Sequence, residues 1–501
     1  MIFRDWLKEL DYTLLQGSVD VETEDVIYDS RKAAPGKVFV AMKGIRVDGH
    51  SFIPQVLKAG VRVLVTERPV EEELKNSGLS EDELKQVTVV MVEEGRHALA
   101  LLSAARFDHP AKKLVMIGVT GTKGKTTTTH MIRAILLAAG KKVGMIGTTG
   151  TVIGDVVTPT LNTTPESYEL HQAFAQMVEA GCEYAVMEVS SQGIKMHRTD
   201  GLYFNYAIFT NISPDHIGPG EHADFEEYLY YKTRLLNMCG IGLVNKDDEH
   251  APQIIKAANC ELYTYSEESK EADFVASDIR YVSQPDFVGT EFHISGKYDM
   301  EVRLGIPGLF NVVNALAAVS VCSFLGLDQA RISHALENIR VNGRMEIVYT
   351  SERCTVLVDY AHNAVSMESL LSTLRDYKPK RLVCVFGCGG NRSKDRRYSM
   401  GEIGGKMADL SIITADNSRY EKVEDIIADI RGSIEKKGGK FIEIPDRREA
   451  IRYSILHAQP GDMVAVIGKG HEDYQEINGV RHHFLDREVI EETVKELGEK
   501  A

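Results

Sequence analysis

The chain has 501 residues, 43% of them hydrophobic and 26% charged, with a formal net charge of −15. That length exceeds what one hydrophobic core sustains and predicts about three domains of roughly 150 residues, with a substrate cleft between domains. The acidic balance argues against non-specific nucleic-acid binding, and no apolar run reaches the ~18 residues that would span a membrane. No signal-peptide pattern marks Met1 to Leu10, and seven scattered cysteines do not make a disulfide framework, so a reducing cytoplasm is the expected home. Cys384 and Cys388 are close in sequence but lack zinc-site companions.

Residues 1–110 carry short strand-like runs, Lys37 to Met42 and Val61 to Thr66, and end at Asp108-His109-Pro110, which predicts a small α/β domain. The charged run Glu71 to Lys85 reads as a solvated helix and loop. From Leu114 strands and helices alternate: a strand to Val119, a helix from Thr126 to Ala139, and a strand Lys142 to Ile146. A helix Glu166 to Ala180, a strand Tyr184 to Val189 and a strand Tyr206 to Ile212 follow. This order predicts a parallel sheet in a central domain over 111–342. Ala272 to Gly305 alternates as antiparallel strands do, and Asn311 to Leu325 reads as an apolar helix.

In 343–501 five strand-like runs, at 355–358, 381–386, 410–414, 440–444 and 462–467, are separated by helical segments. Immediately after them lie DYAHN (359–363), GCGGNR (387–392), ADNSR (415–419), PDRR (445–448) and GKGHE (468–472). In an open parallel sheet these five segments share one edge, the edge at which ligands bind.

The segment GVTGTKGKTTTT (118–129) joins an apolar strand to a helix and reads as a phosphate cradle for ATP. Gly121 and Gly124 let backbone N–H groups close on phosphate oxygens, Thr122 and Lys123 lie within the loop, Lys125 supplies a point charge, and Thr126 supplies a hydroxyl for magnesium. The glycines are spaced 118, 121 and 124, unlike the general GxxxxGK[ST] pattern, which points away from generic NTPases. Without a ligand the same residues would be a Gly/Thr-rich strand-to-helix turn.

The motifs GTKGKT, MEVSSQG, NISPDHIG, FNVVNALAA, NGRME, DYAHN and GKGHE, in that order, resemble the Mur ligase family over nearly the whole chain. The resemblance implies an α/β protein of three domains. They are an N-terminal one (1–110) for the UDP end of a substrate, a central P-loop ATPase (111–342), and a C-terminal Rossmann-like domain (343–501) that receives an amino acid. DSRKAAPGKVFVAMKG and the following DGH, with NTTPES, GCGGNR and GKGHEDYQ, are similar to the members that add a diamino acid to UDP-MurNAc-L-Ala-D-Glu. The implied chemistry is phosphorylation of the D-glutamyl γ-carboxylate by ATP, with magnesium, and attack of an amine on the acyl phosphate.

The same resemblance assigns roles to individual residues. Lys125, Glu188, His216 and Lys232 would be catalytic. Thr126, Glu188, His216 and a carbamylated Lys232 would hold metal, although a lysine in EYLYYKTRLL or a histidine after a strand would otherwise read as bland. Asn311, Asn314, Arg344 and Asp359 would complete the nucleotide contacts when the domains close, with helix capping as the plain reading of the asparagines. Ser30, Asn162, Thr163, Thr164, Ser190 and Arg198 would bind the UDP substrate.

Arg392, Asp416, Asn417, Ser418, Arg419, Gly468 and Glu472 would bind the amino acid. Family members that take meso-diaminopimelate carry DNPR, and this chain has Asp416-Asn417-Ser418-Arg419. An arginine fork suits the second carboxylate of that substrate, while loss of the proline relaxes the loop, so L-lysine and L-ornithine stay open. Gln192, Met196, Ala364 and the SPDHIGPGEHADF segment also depart from the family pattern. A folylpolyglutamate- or cyanophycin-type ligase, and a nucleotide-gated binding protein without ligase activity, are the alternatives. The expected partners are small-molecule substrates, with no nucleic acid or membrane, and the expected state is a monomer.

Overall fold

A computed structural model describes residues 1–44 and 47–498. Packing divides the chain into two compact units, Met1–Tyr265 and Ser266–Ala501.

The first unit contains two sheets. The N-terminal one comprises β1 (Thr13–Gln16), β2 (Asp25–Ile27), β3 (Lys37–Val40), β4 (Val63–Thr66) and β5 (Thr88–Met91), in the order β1-β5-β4-β3-β2. β2 to β5 are parallel and β1 is antiparallel to β5. The charged run 71–85 forms two short helices, Glu71–Lys75 and Glu81–Leu84.

The central strands of this unit are β6 (Val115–Thr120), β7 (Val143–Gly147), β8 (Gly150–Ile153), β9 (Val156–Thr158), β10 (Tyr184–Glu188), β11 (Phe204–Phe209), β12 (Cys239–Asn245) and β13 (Glu261–Ser266). Their order is β13-β12-β11-β6-β10-β7-β8-β9. The six from β13 to β7 run parallel, and β8 and β9 fold back as antiparallel edge strands. β6 and β10 are almost continuously buried because helices cover parallel sheets on both faces. The helix Lys125–Ala138 buries Thr127, Thr128, Met131, Ile132, Ile135 and Leu136, one face at i, i+4 spacing. β11 ends at Phe209, three residues before the expected Ile212, which leaves Thr210 to Ile212 as loop facing the phosphate segment.

Two reciprocal contacts tie the N-terminal sheet to the helix Ser167–Glu179. Tyr28 OH lies 3.0 Å from both Glu169 carboxylate oxygens, and Tyr168 OH lies 3.1 Å from both of Asp25.

The second unit has the antiparallel meander expected over 272–305: β14 (Phe274–Gln284), β15 (Phe287–Gly296) and β16 (Met300–Leu304). The buried helix Leu309–Phe324 follows. Its other sheet comprises β17 (Glu346–Thr350), β18 (Cys354–Asp359), β19 (Arg381–Phe386), β20 (Leu410–Ile413), β21 (Phe441–Glu443) and β22 (Asp462–Ile467), in the order β17-β18-β22-β19-β20-β21. The last five are mutually parallel and β17 is an antiparallel edge. All five sequence motifs after those strands therefore emerge at one edge. A small hairpin, β23 (Tyr474–Ile477) and β24 (Val480–His483), follows GKGHE.

One buried ion pair anchors that edge. Arg447 and Asp486 are fully buried and doubly bonded at 2.7 Å, and Arg447 also donates to the carbonyls of Ala415 (3.2 Å) and Ile467 (3.0 Å). The guanidinium thus fastens two of the motif loops to each other. Removing one partner strands the other charge in the interior. Asp486→Ala is expected to cost about 3–5 kcal/mol, read as a lowered urea midpoint of the C-terminal transition.

Candidate functional site

The phosphate loop is built against the end of β11. The Thr122 N–H donates to the Asn211 carbonyl at 2.8 Å and the Lys123 N–H to Asn211 Oδ1 at 2.9 Å, while Thr210 Oγ1 donates to the Lys123 carbonyl at 2.6 Å. Gly121 has φ +142°, and a Cβ there would lie 1.9 Å from Thr210 Oγ1, so no side chain fits. Gly124 (φ +86°) caps the helix Lys125–Ala138, whose first-turn N–H groups lack intrahelical acceptors and point toward the loop.

The Gly121 carbonyl accepts from two amines, Lys125 Nζ at 2.8 Å and Lys232 Nζ at 2.7 Å. Lys125 Nζ also donates to the Thr122 carbonyl at 3.1 Å. Lys232 is 2% exposed on the helix Phe225–Thr233, with its amine 4.6 Å from the centre of the Tyr228 ring. Burial, and then the neighbouring Lys125 charge, hold its ammonium well below the ordinary lysine range. Tyr228 OH meets Thr122 Oγ1 at 3.1 Å, so the same helix also contacts the loop directly.

Glu188, the last residue of β10, is 1% exposed. Its Oε1 accepts from Thr126 Oγ1 at 3.0 Å and from the Thr148 N–H at 2.9 Å, and its Oε2 from Thr148 Oγ1 at 3.2 Å. A Cβ on Gly147 would lie 2.3 Å from Glu188 Oε1, so the close approach of β7 to this carboxylate requires glycine. Among the described residues no lysine or arginine pairs with Glu188. His216 is not brought to this pair: it lies in an exposed loop at φ +54°, with Nδ1 3.1 Å from Glu221 Oε1.

The expected UDP-substrate residues also lie in the first unit. Thr163 Oγ1 is 3.1 Å from Thr148 Oγ1, and Thr164 Oγ1 donates to the Glu188 carbonyl at 3.0 Å while accepting from the Ser190 N–H at 2.9 Å. Ser190 caps the helix Ser191–Lys195. Arg198 donates to the Thr164 carbonyl at 3.0 Å and pairs with Glu166 at 2.7 Å. Asn162 is exposed. Ser30 opens a 3₁₀ turn capped by Asp29, at the rim of a cavity of about 270 Å³ lined by Asp25 to Asp29, Lys32, Lys37 and Tyr168. His50 of the DGH motif is buried with both ring nitrogens engaged, by Asp48 at 2.6 Å and by the Glu67 N–H at 3.0 Å, and is structural.

In the second unit Asn311 Nδ2 donates to the Pro307 carbonyl at 2.7 Å and Asn314 Nδ2 to Asn311 Oδ1 at 3.2 Å, so Asn311 does bond back across the helix start. Asp359, at the end of β18, accepts from the Met345 and Ala361 N–H groups, each at 2.8 Å. Burial pushes its carboxyl up against those two bonds and the nearby Arg344. The Arg344 guanidinium lies 4.9 Å from the centre of the Tyr360 ring.

At the motif edge, Asn417 Nδ2 donates to Glu472 Oε2 at 2.9 Å, and Asn417 Oδ1 accepts from the Glu476 N–H at 2.9 Å. Gly468, at φ +111°, brings the backbone against Asp416. Asp416, Asn417 and Ser418 are buried. Arg419, at φ +52°, donates to the Gly390 carbonyl at 2.7 Å and lies 3.5 Å from Glu476. Arg392 is exposed and makes no hydrogen bond or ion pair among the described residues.

Sequence reasoning passed over two residues at these sites. Lys469 is fully buried, with Nζ 3.3 Å from both Asn417 Oδ1 and Glu472 Oε2 and bonded to the Tyr474 carbonyl. Its position between two glycines of GKGHE was the available signal. His222 is buried with Nε2 2.9 Å from Ser191 Oγ, and its only sequence cue was proximity to His216.

Comparison with known proteins matches three family descriptions in order. They are "Mur ligase family, catalytic domain" over 23–107, "Mur ligase middle domain" over 119–322 and "Mur ligase, glutamate ligase domain" over 343–470. A UDP-N-acetylmuramoyl-L-alanyl-D-glutamate–2,6-diaminopimelate ligase of Caldanaerobacter subterraneus subsp. tengcongensis is 38% identical over 498 residues, 98% of each chain. The ligase of the same name from Clostridium perfringens is also 38% identical, over 98% of this chain and 99% of its own. A solved structure of a ligase with that name superposes with a TM-score of 0.72 at 30% identity, covering 95% of this chain and 96% of the other. A folylpolyglutamate synthase of Mycobacterium tuberculosis, at 18% identity and a TM-score of 0.56 over 74% of this chain and 92% of its own, shares the fold.

The steric constraint at Gly121 gives a direct test of the loop. Gly121→Ala must displace either Thr210 or the backbone and is expected to weaken ATP binding at least ~10-fold by calorimetry, the scale of 1–3 kcal/mol of backbone strain, with the far-UV circular dichroism unchanged.

Proposed function

The chain belongs to the Mur ligase family, and we propose from that premise that it joins a diamino acid, meso-2,6-diaminopimelate, to the D-glutamyl γ-carboxylate of UDP-MurNAc-L-Ala-D-Glu in peptidoglycan precursor synthesis. It is an ATP-dependent ligase with the three-part α/β fold of that family. The observation that carries the reading is the convergence of Lys125 and the buried Lys232 on the Gly121 carbonyl, in the loop whose Thr126 meets Glu188. A ligase of this kind must bring two anions together, the ATP γ-phosphate and a carboxylate, so it needs positive charge on a rigid loop.

In the proposed assignment, residues 1–110 hold the UDP end with Ser30 beside the 270 Å³ cavity, 111–342 hold ATP, and 343–501 hold the amino acid. Asn162, Thr163, Thr164, Ser190 and Arg198 bind the UDP substrate. The Gly121–Thr126 loop, Asn311, Asn314, Arg344 and Asp359 bind ATP. Its setting would be the cytoplasm, as a monomer.

Magnesium fits Thr126 and Glu188. A buried carboxylate with no cationic side-chain partner among the described residues, beside a hydroxyl, is a set of hard oxygen donors suited to that ion. When bound, the ion would neutralise phosphate charge. His216, proposed as a further ligand, lies in an exposed loop with Nδ1 3.1 Å from Glu221 Oε1 and its ring 6.2 Å from that of Tyr228. Lys232 is suited to carbamylation because burial and Lys125 favour its neutral amine, which adds to CO2 and loses a proton to give a carbamate. The carbamate would turn this neutral amine into an anion beside Lys125.

The carboxylate oxygen of the dipeptide attacks the γ-phosphorus of ATP, ADP leaves, and an acyl phosphate results. Lys125 sits at the loop to stabilise the transferring phosphoryl charge. The neutral amine of the diamino acid then attacks the acyl carbon, and the C–O bond to phosphate breaks as the amine proton is lost. Arg392, without a partner among the described residues, suits one substrate carboxylate, and Arg419, held by the Gly390 carbonyl, suits the distal one. Glu472 and the Gly468 carbonyl would receive the distal ammonium. Ser418 keeps its place in a buried turn, so the DNSR segment retains an ordered arginine without proline.

Phosphate release with UDP-MurNAc-L-Ala-D-Glu and ATP is expected with meso-diaminopimelate and not with L-lysine or L-ornithine. Arg419→Ala should raise the KM for diaminopimelate roughly 10- to 100-fold, the scale of a charge-assisted bond. Equal release with L-lysine would overturn the specificity, and no release with any of the three would overturn the ligase assignment.

A further inference from the structure

Outside the ligase machinery, two imidazoles and one carboxylate converge within the first unit. His97 Nδ1 lies 2.6 Å and His197 Nδ1 2.8 Å from the same oxygen, Asp200 Oδ2, and the three ligand atoms all lie within 4.8 Å of one another. Among the described residues this is the one such group of three metal-ligating side chains. His97 comes from the first turn of the helix Gly95–Arg106, whereas His197 and Asp200 come from a tight turn after the helix Ser191–Lys195. The turn is held by backbone bonds from the N–H of His197 to the Ile194 carbonyl (3.0 Å) and from the N–H of Arg198 to the Gly193 carbonyl (2.9 Å). His197 sits at φ +56°, a left-handed conformation that a non-glycine residue keeps only where its surroundings fix it.

We propose that His97, His197 and Asp200 form a binding site for a borderline transition-metal ion of the zinc class, separate from the magnesium–ATP chemistry. Two imidazole nitrogens and one carboxylate oxygen are a donor set that zinc prefers, and they leave a fourth position for water. Bond lengths of about 2.0–2.1 Å in a tetrahedral site place ligand atoms about 3.3 Å apart. The two imidazole–carboxylate separations, 2.6 and 2.8 Å, need to open by about 0.5–0.7 Å to reach that spacing. The side chains of His97 and His197 are 43% and 38% exposed, so an ion can enter from solvent. The Glu94 carboxylate adds negative potential near His197, partly offset by Arg96.

The site has a structural consequence. The flanking arginines, Arg96 and Arg198, both pair with Glu166, at 3.5 and 2.7 Å. An ion at the neighbouring triad would clamp the helix that starts at Gly95 to the turn that carries Arg198. It would therefore act as a positioning device for Arg198.

The test uses the full-length, metal-stripped protein in excess magnesium, titrated with Co2+ and then challenged with Zn2+. One Co2+ per chain with the visible absorption of a four-coordinate ion, displaced by Zn2+, is expected. His97→Gln and His197→Gln should each weaken that binding at least 10-fold, while His482→Gln, an exposed histidine elsewhere, should not. Zinc should raise the melting temperature of the parent chain but of neither triad variant, and melts without metal establish that both variants fold. Saturable binding that survives in both triad variants, or the absence of stoichiometric binding in the parent chain, overturns the proposal.

Discussion

Two amines on one carbonyl oxygen set the conditions for the catalytic loop. Lys125 and Lys232 both donate to Gly121, and Lys232 has almost no contact with water. Two ammonium ions so placed repel each other in a medium that screens poorly, and the more buried one yields its proton. A lysine in this setting is a neutral nucleophile more readily than a cation. The proposed carbamate then resolves the conflict, because an anion beside Lys125 attracts where an ammonium repels.

That arrangement depends on the loop being unable to shift. Gly121 is pressed against Thr210, and Asn211 binds the loop through both its side chain and its backbone. Both residues follow β11, the strand directly paired with β6, so the sheet sets the distance between the loop and its anchor. Glu188 arrives from the other neighbour of β6, strand β10. Three adjacent parallel strands thus deliver the phosphate loop, its anchor and its acidic partner at their carboxyl ends, the place where open α/β sheets bind ligands. The second unit repeats the device with five parallel strands, fastened beneath by the Arg447–Asp486 pair.

Much of this was legible in the sequence, and the parts that were not share a cause. The phosphate loop, the strand and helix order, and the shared edge of the five C-terminal motifs follow from local patterns of glycine, apolar runs and turn residues. Lys232 was legible only through family resemblance, since EYLYYKTRLL has the look of a surface helix and its burial comes from contact with Gly121, 111 residues away. Lys469, His222 and Arg447 were missed because buried polar side chains are identified by their partners, and each has one 20 to 52 residues distant: Ile467 for Arg447, Ser191 for His222 and Asn417 for Lys469. His97 and Asp200 are 103 residues apart, and no periodicity joins them. The end of β11 was misplaced for a related reason: Ile212 follows the apolar run Tyr206 to Phe209 closely, but Thr210 and Asn211 turn to serve the loop instead of the sheet.

The most direct measurement of the central claim is carbon-13 NMR of the protein equilibrated with ¹³C-bicarbonate, comparing the parent chain with Lys232→Arg. A single carbamate resonance in the parent that is absent from the arginine variant, whose side chain stays protonated, is the predicted result. The same resonance in both chains, or none in a parent chain that is fully active under CO2-free conditions, would contradict the account.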